Sequence, residues 1–315
     1  MIHAIDRPKA YAYAILSVAD MASALALWAE TFGMQIKARR QGSDPHWAKA
    51  WQLADDDIVD QALLVTPGRE QGGIHLMQFR EPGPTVRENA RATDLVPKSV
   101  DIVVRDIGAR YAELQAKGLK FRSPIGRFET DGVVVHEVHM PGPDDVNLVF
   151  LEEEAKVDHV SVEGYGVAPQ IVAISPDNKR EKAFYENVLG LIETSYHRFA
   201  GPEVERTIGL PAGAGLDVRI FGDPDYSYGR LEIVQYEGAP STDLYPRAKA
   251  PARGMLGVNF VVTELREILR RAASAGVTAS APTGLQCIYG DIEMATVYSP
   301  AGLRIDLLTA SPTIT

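Results

Sequence analysis

Histidines and the single cysteine are the side chains of this sequence best suited to metal binding or nucleophilic chemistry. Two of the seven histidines, His136 and His139, are three residues apart in the run VVVHEVHM. Side chains three apart on a β-strand point to opposite faces, so these two are not predicted to bind one metal ion. Cys287 has no partner for an intrachain disulfide, and burial as a small apolar residue is favoured over a reactive thiol.

Aromatic side chains are a second group that could serve a ligand, by lining a pocket for an apolar molecule. They are Trp47, Trp51, Tyr226, Tyr228 and Tyr289. Packing in an ordinary hydrophobic core accounts for their spacing at least as well. Two further histidines, His46 and His197, are expected in surface loops.

The elements that must position these side chains follow from an internal duplication. Leu27-Trp28 corresponds to Phe184-Tyr185, and the run HLMQF from His75 corresponds to EIVQY from Glu232. In both cases the separation is 157 positions. A constant separation over such a length predicts that the two halves of the chain share one structure with hardly an insertion.

Within each half, the same order of elements runs twice: a strand, an acidic turn, a helix and three further strands. The first strand is predicted over residues 11–18, and Asp20 is placed to cap the helix that follows. Two more helices are predicted over residues 107–117 and 265–275. Glycines able to adopt a left-handed conformation are predicted to end the four helices: Gly33, Gly118, Gly190 and Gly276.

Length, charge and composition limit the class of protein. The 315 residues suffice for two domains, and 45% of them are hydrophobic, as in globular proteins. Lys and Arg number 32 against 42 Asp and Glu, and the resulting charge of −10 argues against nucleic acid as a partner. No signal peptide and no run of about 20 apolar residues is apparent, so a cytoplasmic protein that does not enter a membrane is predicted.

Three runs of residues carry a family resemblance. SPDNKREKAFYENVLGL, GRLEIVQ and SPAGLRIDLL resemble the vicinal-oxygen-chelate superfamily, which contains glyoxalases, bleomycin-resistance proteins and extradiol dioxygenases. The resemblance extends over essentially the whole chain. It implies an α+β fold in which four βαβββ modules form two tandem glyoxalase-like domains with half-open curved sheets.

The resemblance and the duplication together place two domains on the chain. The first is expected over residues 8–152, with modules at about 10–80 and 97–152. The second is expected over residues 165–310, with modules at about 167–236 and 254–309. The polar and acidic segment over residues 152–166 is the predicted linker between them.

The superfamily's metal ligands lie in the first and last strands of each module, and the resemblance carries them to eight positions. The first-strand positions are Tyr13, Ser99, Gln170 and Gly257, and the last-strand positions are His75, Val149, Glu232 and Asp306. The ligand set implied for a divalent metal (Zn, Mn, Fe, Ni or Mg) is Gln170, Glu232 and Asp306. The catalytic residues implied are Glu232, His75 and Tyr13.

Two alternatives stay open at this point. Gln170 and Glu232 are either metal ligands or polar cavity residues that hydrogen-bond a ligand directly. The pairing of the modules is also open. The first with the fourth would combine Tyr13, His75 and Asp306, whereas the second with the third would leave Gln170 and Glu232 as the strong donors.

The incomplete ligand set argues against ring cleavage, which needs two histidines and a carboxylate on iron or manganese, and against true glyoxalase I, which needs four ligands. The function expected is a divergent enzyme, a lyase or isomerase that moves a proton next to a carbonyl of a small oxygenated substrate. The alternative is a metal-free protein that sequesters a small molecule, of the bleomycin-resistance type; a ring-cleaving dioxygenase is a third possibility. A monomer or homodimer is expected.

Overall fold

The computed structural model describes residues 10–130, 133–153 and 160–310. Part of the predicted linker, residues 154–159, and the first two residues of the first predicted domain therefore lie outside the described residues. The strands are β1 Tyr13–Val18, β2 Gln35–Gln41, β3 Ile58–Val65, β4 Gly73–Phe79, β5 Pro97–Val104, β6 Gly126–Thr130, β7 Val133–Pro141, β8 Asn147–Glu153, β9 Tyr165–Ile174, β10 Ile192–Ala200, β11 Gly215–Gly222, β12 Arg230–Glu237, β13 Gly254–Val261, β14 Thr283–Cys287, β15 Gly290–Tyr298 and β16 Arg304–Ala310. The α-helices are α1 Met21–Leu25, α2 Pro45–Ala50, α3 Ile107–Ala116, α4 Asn178–Phe184, α5 Pro202–Ile208 and α6 Leu265–Ser274.

The strands form two curved mixed sheets of eight strands each, which confirms the α+β fold of repeated βαβββ modules. Sheet I has the order β14-β15-β16-β13-β1-β4-β3-β2, and sheet II has the order β10-β11-β12-β9-β5-β8-β7-β6. Sheet I therefore pairs the first module with the fourth, and sheet II pairs the second with the third. Because each sheet takes one module from either half of the chain, the two tandem domain boundaries stay a prediction.

Each sheet is continuous across the junction between its two modules. In sheet I, β1 runs antiparallel to β13, with Tyr13 opposite Asn259. In sheet II, β5 runs antiparallel to β9, with Ser99 opposite Val172 and register shifts on both sides of that pair. The first strands of two modules thus lie side by side at the centre of each sheet, so that the two modules share one inner face.

The helix that follows the first strand of a module is positioned by local chemistry. Asp20 Oδ1 accepts a hydrogen bond of 2.7 Å from the backbone N–H of Ser23, as its predicted capping role requires. Helices α1 and α4 continue into π-helical turns over Ala26–Thr31 and Tyr185–Leu189. Gly190 ends the second of these at φ 77°, a conformation that costs little only for glycine. Among the described residues, no helix is long and apolar enough to cross a membrane.

Helices α1 and α6 pack on the outer face of sheet I, helices α3 and α4 pack on that of sheet II, and one large hydrophobic core joins both outer faces. Alternate residues of β1 separate the two faces, as the sequence predicts. Ala14, Leu16 and Val18 lie in this outer core. Ile15 lies in a second core on the inner face of sheet I.

Two short helices on the inner faces were not predicted. Helix α2 lies between β2 and β3, and α5 lies at the equivalent place between β10 and β11. Each has a proline in its first turn, Pro45 and Pro202, where the missing N–H costs nothing. Runs of six or seven residues contain too few helical periods to be recognised by spacing alone. The prediction that His46 and His197 lie in loops was wrong, because these residues lie in α2 and in the edge strand β10.

Candidate functional site

The inner face of sheet II encloses a cavity of about 540 Å³. Side chains from both modules of the sheet and from α5 line it. One wall is aliphatic and includes Val204 and Ile208 from α5, and Leu216 and Val218 from β11. A second, polar wall includes Lys98, Asp101, Glu137, His139, Gln170, Glu232 and Tyr236. A volume of this size is enough for a small organic ligand.

Two acidic side chains of the polar wall, Asp101 and Glu232, are joined into a pair by Gln170. The carboxamide Nε2 of Gln170 donates to Asp101 Oδ2 at 2.8 Å and to Glu232 Oε2 at 2.5 Å. Asp101 lies on β5 and is 3% exposed, while Gln170 and Glu232 come from the neighbouring strands β9 and β12. The other oxygen of Asp101, Oδ1, is buried and has no hydrogen-bond partner among the described residues. Among the described residues, the Asp101 side chain is therefore hydrogen-bonded through Oδ2 alone.

The two carboxyl groups are electrostatically unusual. Burial raises the pKa of Asp101 well above its ordinary range, and repulsion by Glu232 raises it further. Burial also raises the pKa of Glu232, and the negative charge of Glu137 acts in the same direction. Near neutral pH the pair therefore does not carry two negative charges.

A buried lysine lies at the Tyr236 end of the cavity. Lys98 is 3% exposed, and its Nζ donates to the phenolic oxygen of Tyr236 at 2.5 Å. Burial lowers the pKa of Lys98 to about 7, and repulsion by Arg87 and Arg122 adds to this effect. The cavity thus contains a cationic end as well as an acid pair.

His139 is the histidine of the run VVVHEVHM that faces the cavity. Asn147 Nδ2 donates to its Nδ1 at 3.3 Å, which leaves the ring proton on Nε2 to be donated to Glu137 Oε1 at 2.6 Å. Burial lowers the pKa of His139, so the neutral ring is favoured. His136 is on the opposite face of β7, as the spacing of the two histidines predicts.

The inner face of sheet I is filled by packed side chains. His75 is completely buried there. Its Nε2 lies 3.0 Å from Gln61 Oε1, and its Nδ1 lies 2.7 Å from the hydroxyl of Tyr289. The ring centroid of Trp47 is 5.9 Å from that of His75. Burial lowers the pKa of His75 to about 3, so this histidine is a neutral core residue with both nitrogens hydrogen-bonded.

The remaining predicted site residues also belong to sheet I. Tyr13 lies on β1, with its ring centroid 5.6 Å from that of Tyr289. Asp306 is completely buried and accepts hydrogen bonds from Thr296 Oγ1 at 2.6 Å and Arg304 Nε at 3.0 Å. A Cβ on Gly257 would lie 2.6 Å from Arg304 O, so close backbone approach accounts for glycine at this position.

The structure therefore brings together some of the predicted site residues and separates others. Of the expected metal ligands, Gln170 and Glu232 meet in the sheet II cavity, whereas Asp306 lies in sheet I and is engaged by Arg304. Of the expected catalytic residues, Glu232 lies in the cavity, whereas Tyr13 and His75 lie in the filled sheet. The physical reason is the pairing of modules, which the sequence left open.

The difference between the two inner faces arises from equivalent residues of different size. Trp47 and Trp51 of the first module correspond, at the 157-residue separation, to Val204 and Ile208 of the third. Both indoles are buried in the inner core of sheet I. The two aliphatic side chains occupy much less volume and border the cavity of sheet II.

The polar wall does not offer a donor set that fits a resident divalent metal. Ser99 and Val149, at two of the four positions that the resemblance assigns, supply only a hydroxyl group and a hydrocarbon. Gln170 and Glu232, at the other two, are hydrogen-bonded to each other through Nε2. Throughout the described ranges, no three His, Cys, Asp or Glu side chains are grouped so that they could hold a metal ion.

Five residues of the polar wall were not predicted as site residues from the sequence, and four of them carry a usable signal. Lys98 and Asp101 interrupt the otherwise apolar strand PKSVDIVV, and charged residues in a buried strand are a usable signal. Glu137 and His139 are two residues apart and therefore lie on one face of the strand VVVHEVHM. Two polar side chains on one face of an apolar strand are a second usable signal.

Comparison with known proteins finds one matching family model and several similar solved structures. The model of the Glyoxalase/Bleomycin resistance protein/Dioxygenase superfamily matches residues 10–150. The solved structure of glyoxalase I from Zea mays is similar at a TM-score of 0.66 and 16% identity, over 96% of this chain and 92% of that one. A putative dioxygenase from Bacillus subtilis is similar at a TM-score of 0.57 and 11% identity, over 98% of this chain and 87% of that one. No curated protein sequence gives a significant match.

At these identities, the solved structures establish a shared fold and not a shared reaction. The family match covers the first two modules, and the structural similarity extends over all four. Residues 10–150 therefore resemble the Glyoxalase/Bleomycin resistance protein/Dioxygenase superfamily, and the chain shares the fold of glyoxalase I over nearly its whole length.

Proposed function

We propose that this protein is an enzyme, a lyase or isomerase that moves a proton on a small oxygenated organic substrate bound in the sheet II cavity. The observation that carries the proposal is the acid pair of Asp101 and Glu232, joined by Gln170 in the polar wall. Titratable groups with raised pKa values, grouped in a cavity of ligand size, are typical of acid–base sites.

The two carboxyl groups suit different roles. Asp101 lines the cavity and has a raised pKa, so it holds the proton and can donate a hydrogen bond to a carbonyl oxygen of the substrate. Glu232 then accepts the proton from the carbon next to that carbonyl. The negative charge that develops on the substrate oxygen is stabilised by the protonated Asp101. Gln170 positions both groups through its two N–H bonds.

Proton exchange with solvent tests this proposal without knowledge of the complete reaction. The purified protein is incubated in D₂O with a panel of small 2-oxo acids, hydroxyketones and hydroxyaldehydes, and loss of C–H signals is followed by NMR. We expect exchange in at least one compound, and a loss of about 100-fold or more in Glu232→Gln, which is the scale of a general base. His75→Gln, altered in sheet I, is the matched control and is expected to retain exchange. Exchange that survives in Glu232→Gln would refute the role of this residue.

The aliphatic wall favours a second candidate function, a protein that sequesters a small molecule. Val204, Ile208, Leu216 and Val218 form an apolar surface on one side of the cavity that needs no chemistry to bind a ligand. This candidate predicts tight binding of an apolar compound, with no proton exchange in any compound that binds. Calorimetry on the same panel, with the exchange measurement repeated on every compound that binds, separates the two functions.

Three further predictions from the sequence stay predictions: a divalent metal, a cytoplasmic location, and a monomeric or homodimeric state. Metal analysis of protein purified without chelator tests the first. A stoichiometric metal that is lost in Glu232→Ala would show that the cavity binds a metal, in spite of the hydrogen bond between Gln170 and Glu232.

A further inference from the structure

Among the described residues, the one polar group that the buried cation Lys98 contacts directly is neutral. Its Nζ donates to the hydroxyl of Tyr236, and it lies 4.9 Å from the centroid of that ring. No carboxylate of the described residues forms an ion pair with it, although Glu137 and Glu232 act on it from a greater distance. Burying an ammonium group without a charged partner is costly, and residues in this situation commonly serve a ligand.

We infer that the ligand of the sheet II cavity carries a carboxylate, which is bound by Lys98 Nζ and the hydroxyl of Tyr236. This inference deepens the proposed function, since it rests on the same cavity and names the class of substrate. The carboxylate would lie at the Lys98 end, and the reacting part of the molecule would lie against Asp101 and Glu232.

The arrangement of donors fits a carboxylate. Lys98 Nζ and the Tyr236 oxygen are 2.5 Å apart, which is close to the spacing of the two oxygens of one carboxylate group. Because the Tyr236 oxygen accepts a hydrogen bond from Lys98, the O–H of Tyr236 remains able to donate to a ligand. One donor can therefore serve each carboxylate oxygen, and the ion pair would form where water is largely excluded.

Two arginines add to the positive charge at the Lys98 end of the cavity. Arg87 and Arg122 are close enough to Lys98 to disfavour its charged form, and both favour the ionised form of Tyr236. An anion bound by Lys98 and Tyr236 together would be attracted by all three cations. The acid pair does not cancel this attraction, because burial and mutual repulsion keep it from carrying two charges.

A pair of compounds of the same shape tests the inference. 4-Phenylbutanoate carries the carboxylate and an apolar end for the aliphatic wall, and 4-phenylbutanamide replaces only the charged group. Isothermal titration calorimetry at pH 7 is expected to show that the carboxylate binds at least about tenfold more tightly than the amide, as for a hydrogen bond to a charged group. Lys98→Met is expected to abolish this preference and to leave binding of the amide unchanged.

The control is Lys120→Met, which removes the same charge from an exposed position and is expected to retain the preference. Circular dichroism checks that both variants fold, and Tyr236→Phe provides a second, milder variant that should reduce the preference. Equal binding of the two compounds, no binding of the carboxylate at millimolar concentration, or a preference that survives in Lys98→Met would overturn the inference. Proton exchange that depends on Glu232, without a carboxylate preference, would leave the proposed function standing and remove only its substrate class.

Discussion

Trp47 and Val204 occupy equivalent positions on equivalent helices, and the difference in their size decides which inner face is open. Trp47 is completely buried and packs with Tyr289 at a centroid distance of 5.3 Å. Val204 borders the cavity in sheet II. The two sheets thus differ: sheet I is a packed support, and sheet II holds the candidate site.

Filling the open face should abolish ligand binding while the fold is retained. In Val204→Trp the indole would enter the cavity, as Trp47 enters the inner core of sheet I, because the cavity offers about 540 Å³. We expect binding of 4-phenylbutanoate to fall below detection by calorimetry, with a near-native circular dichroism spectrum. Val204→Ile, which adds a single methylene group, is the control and should keep most of the affinity. Unchanged binding in Val204→Trp would place the ligand elsewhere.

Truncating Trp47 in the packed sheet should lower the stability of the protein and leave ligand binding in sheet II unchanged. Trp47→Val removes most of a fully buried side chain from the inner core of sheet I. The free energy of unfolding is expected to fall by roughly 3–5 kcal/mol, as for other large truncations in protein cores. Urea denaturation measures the loss. Ligand binding in sheet II should be unaffected at a temperature where the variant is folded, and a comparable loss of both would show that the sheets are not independent in this respect.

His75 should make the protein sensitive to mild acid. Its pKa in the folded protein is lowered to about 3 by burial, whereas an unfolded histidine titrates near 6.5. The unfolded chain therefore binds more protons between these values, and stability is lost as the pH falls below about 6.5. At pH 5 this residue is expected to lower the free energy of unfolding by roughly 2 kcal/mol relative to pH 7.

Urea denaturation at pH 7 and pH 5 checks the prediction for His75. The variant His75→Gln is expected to lose less stability over this interval than the native protein, even though it is less stable at pH 7. A loss of the same size in both proteins would assign the acid sensitivity to other groups.

Gln170 should control the titration of the acid pair. Its N–H bonds favour the ionised forms of both carboxyl groups, so they limit the rise in pKa that burial causes. In Gln170→Leu both pKa values are expected to rise further, and the basic limb of the pH dependence of proton exchange should move upward. Infrared spectra of the carboxyl groups over a pH series give a readout independent of activity. An unchanged titration would mean that the amide does not bridge the two acids in solution.

Much of the architecture could be predicted from local pattern. The 157-residue separation predicts the repeated modules, and the alternation over residues 13–18 predicts which side chains of β1 face each core. Asp20 and the helix-ending glycines act as expected, because capping and left-handed turns depend on a few neighbouring residues. Helices α2 and α5 were not recognised, since each is only about two turns long.

The candidate site could be predicted only in part. Gln170 and Glu232 were identified together by the resemblance, and they do meet in one cavity. His75, Tyr13 and Asp306 were expected beside a ligand, and they lie instead in the packed sheet. Asp101, which shares the amide of Gln170 with Glu232, comes from a module that is about 130 residues away in the chain.

The sequence by itself determined the four modules, most of their elements and the two faces of β1, because these depend on spacing and on contacts within one module. Only the tertiary structure decided that the second module pairs with the third, that Asp101 and Lys98 therefore face Glu232 and Tyr236, and that one inner face is open. The physical reason is that the pairing of modules and the filling of a cavity depend on edge-to-edge hydrogen bonding and side-chain volume summed over distant segments, which no local pattern contains.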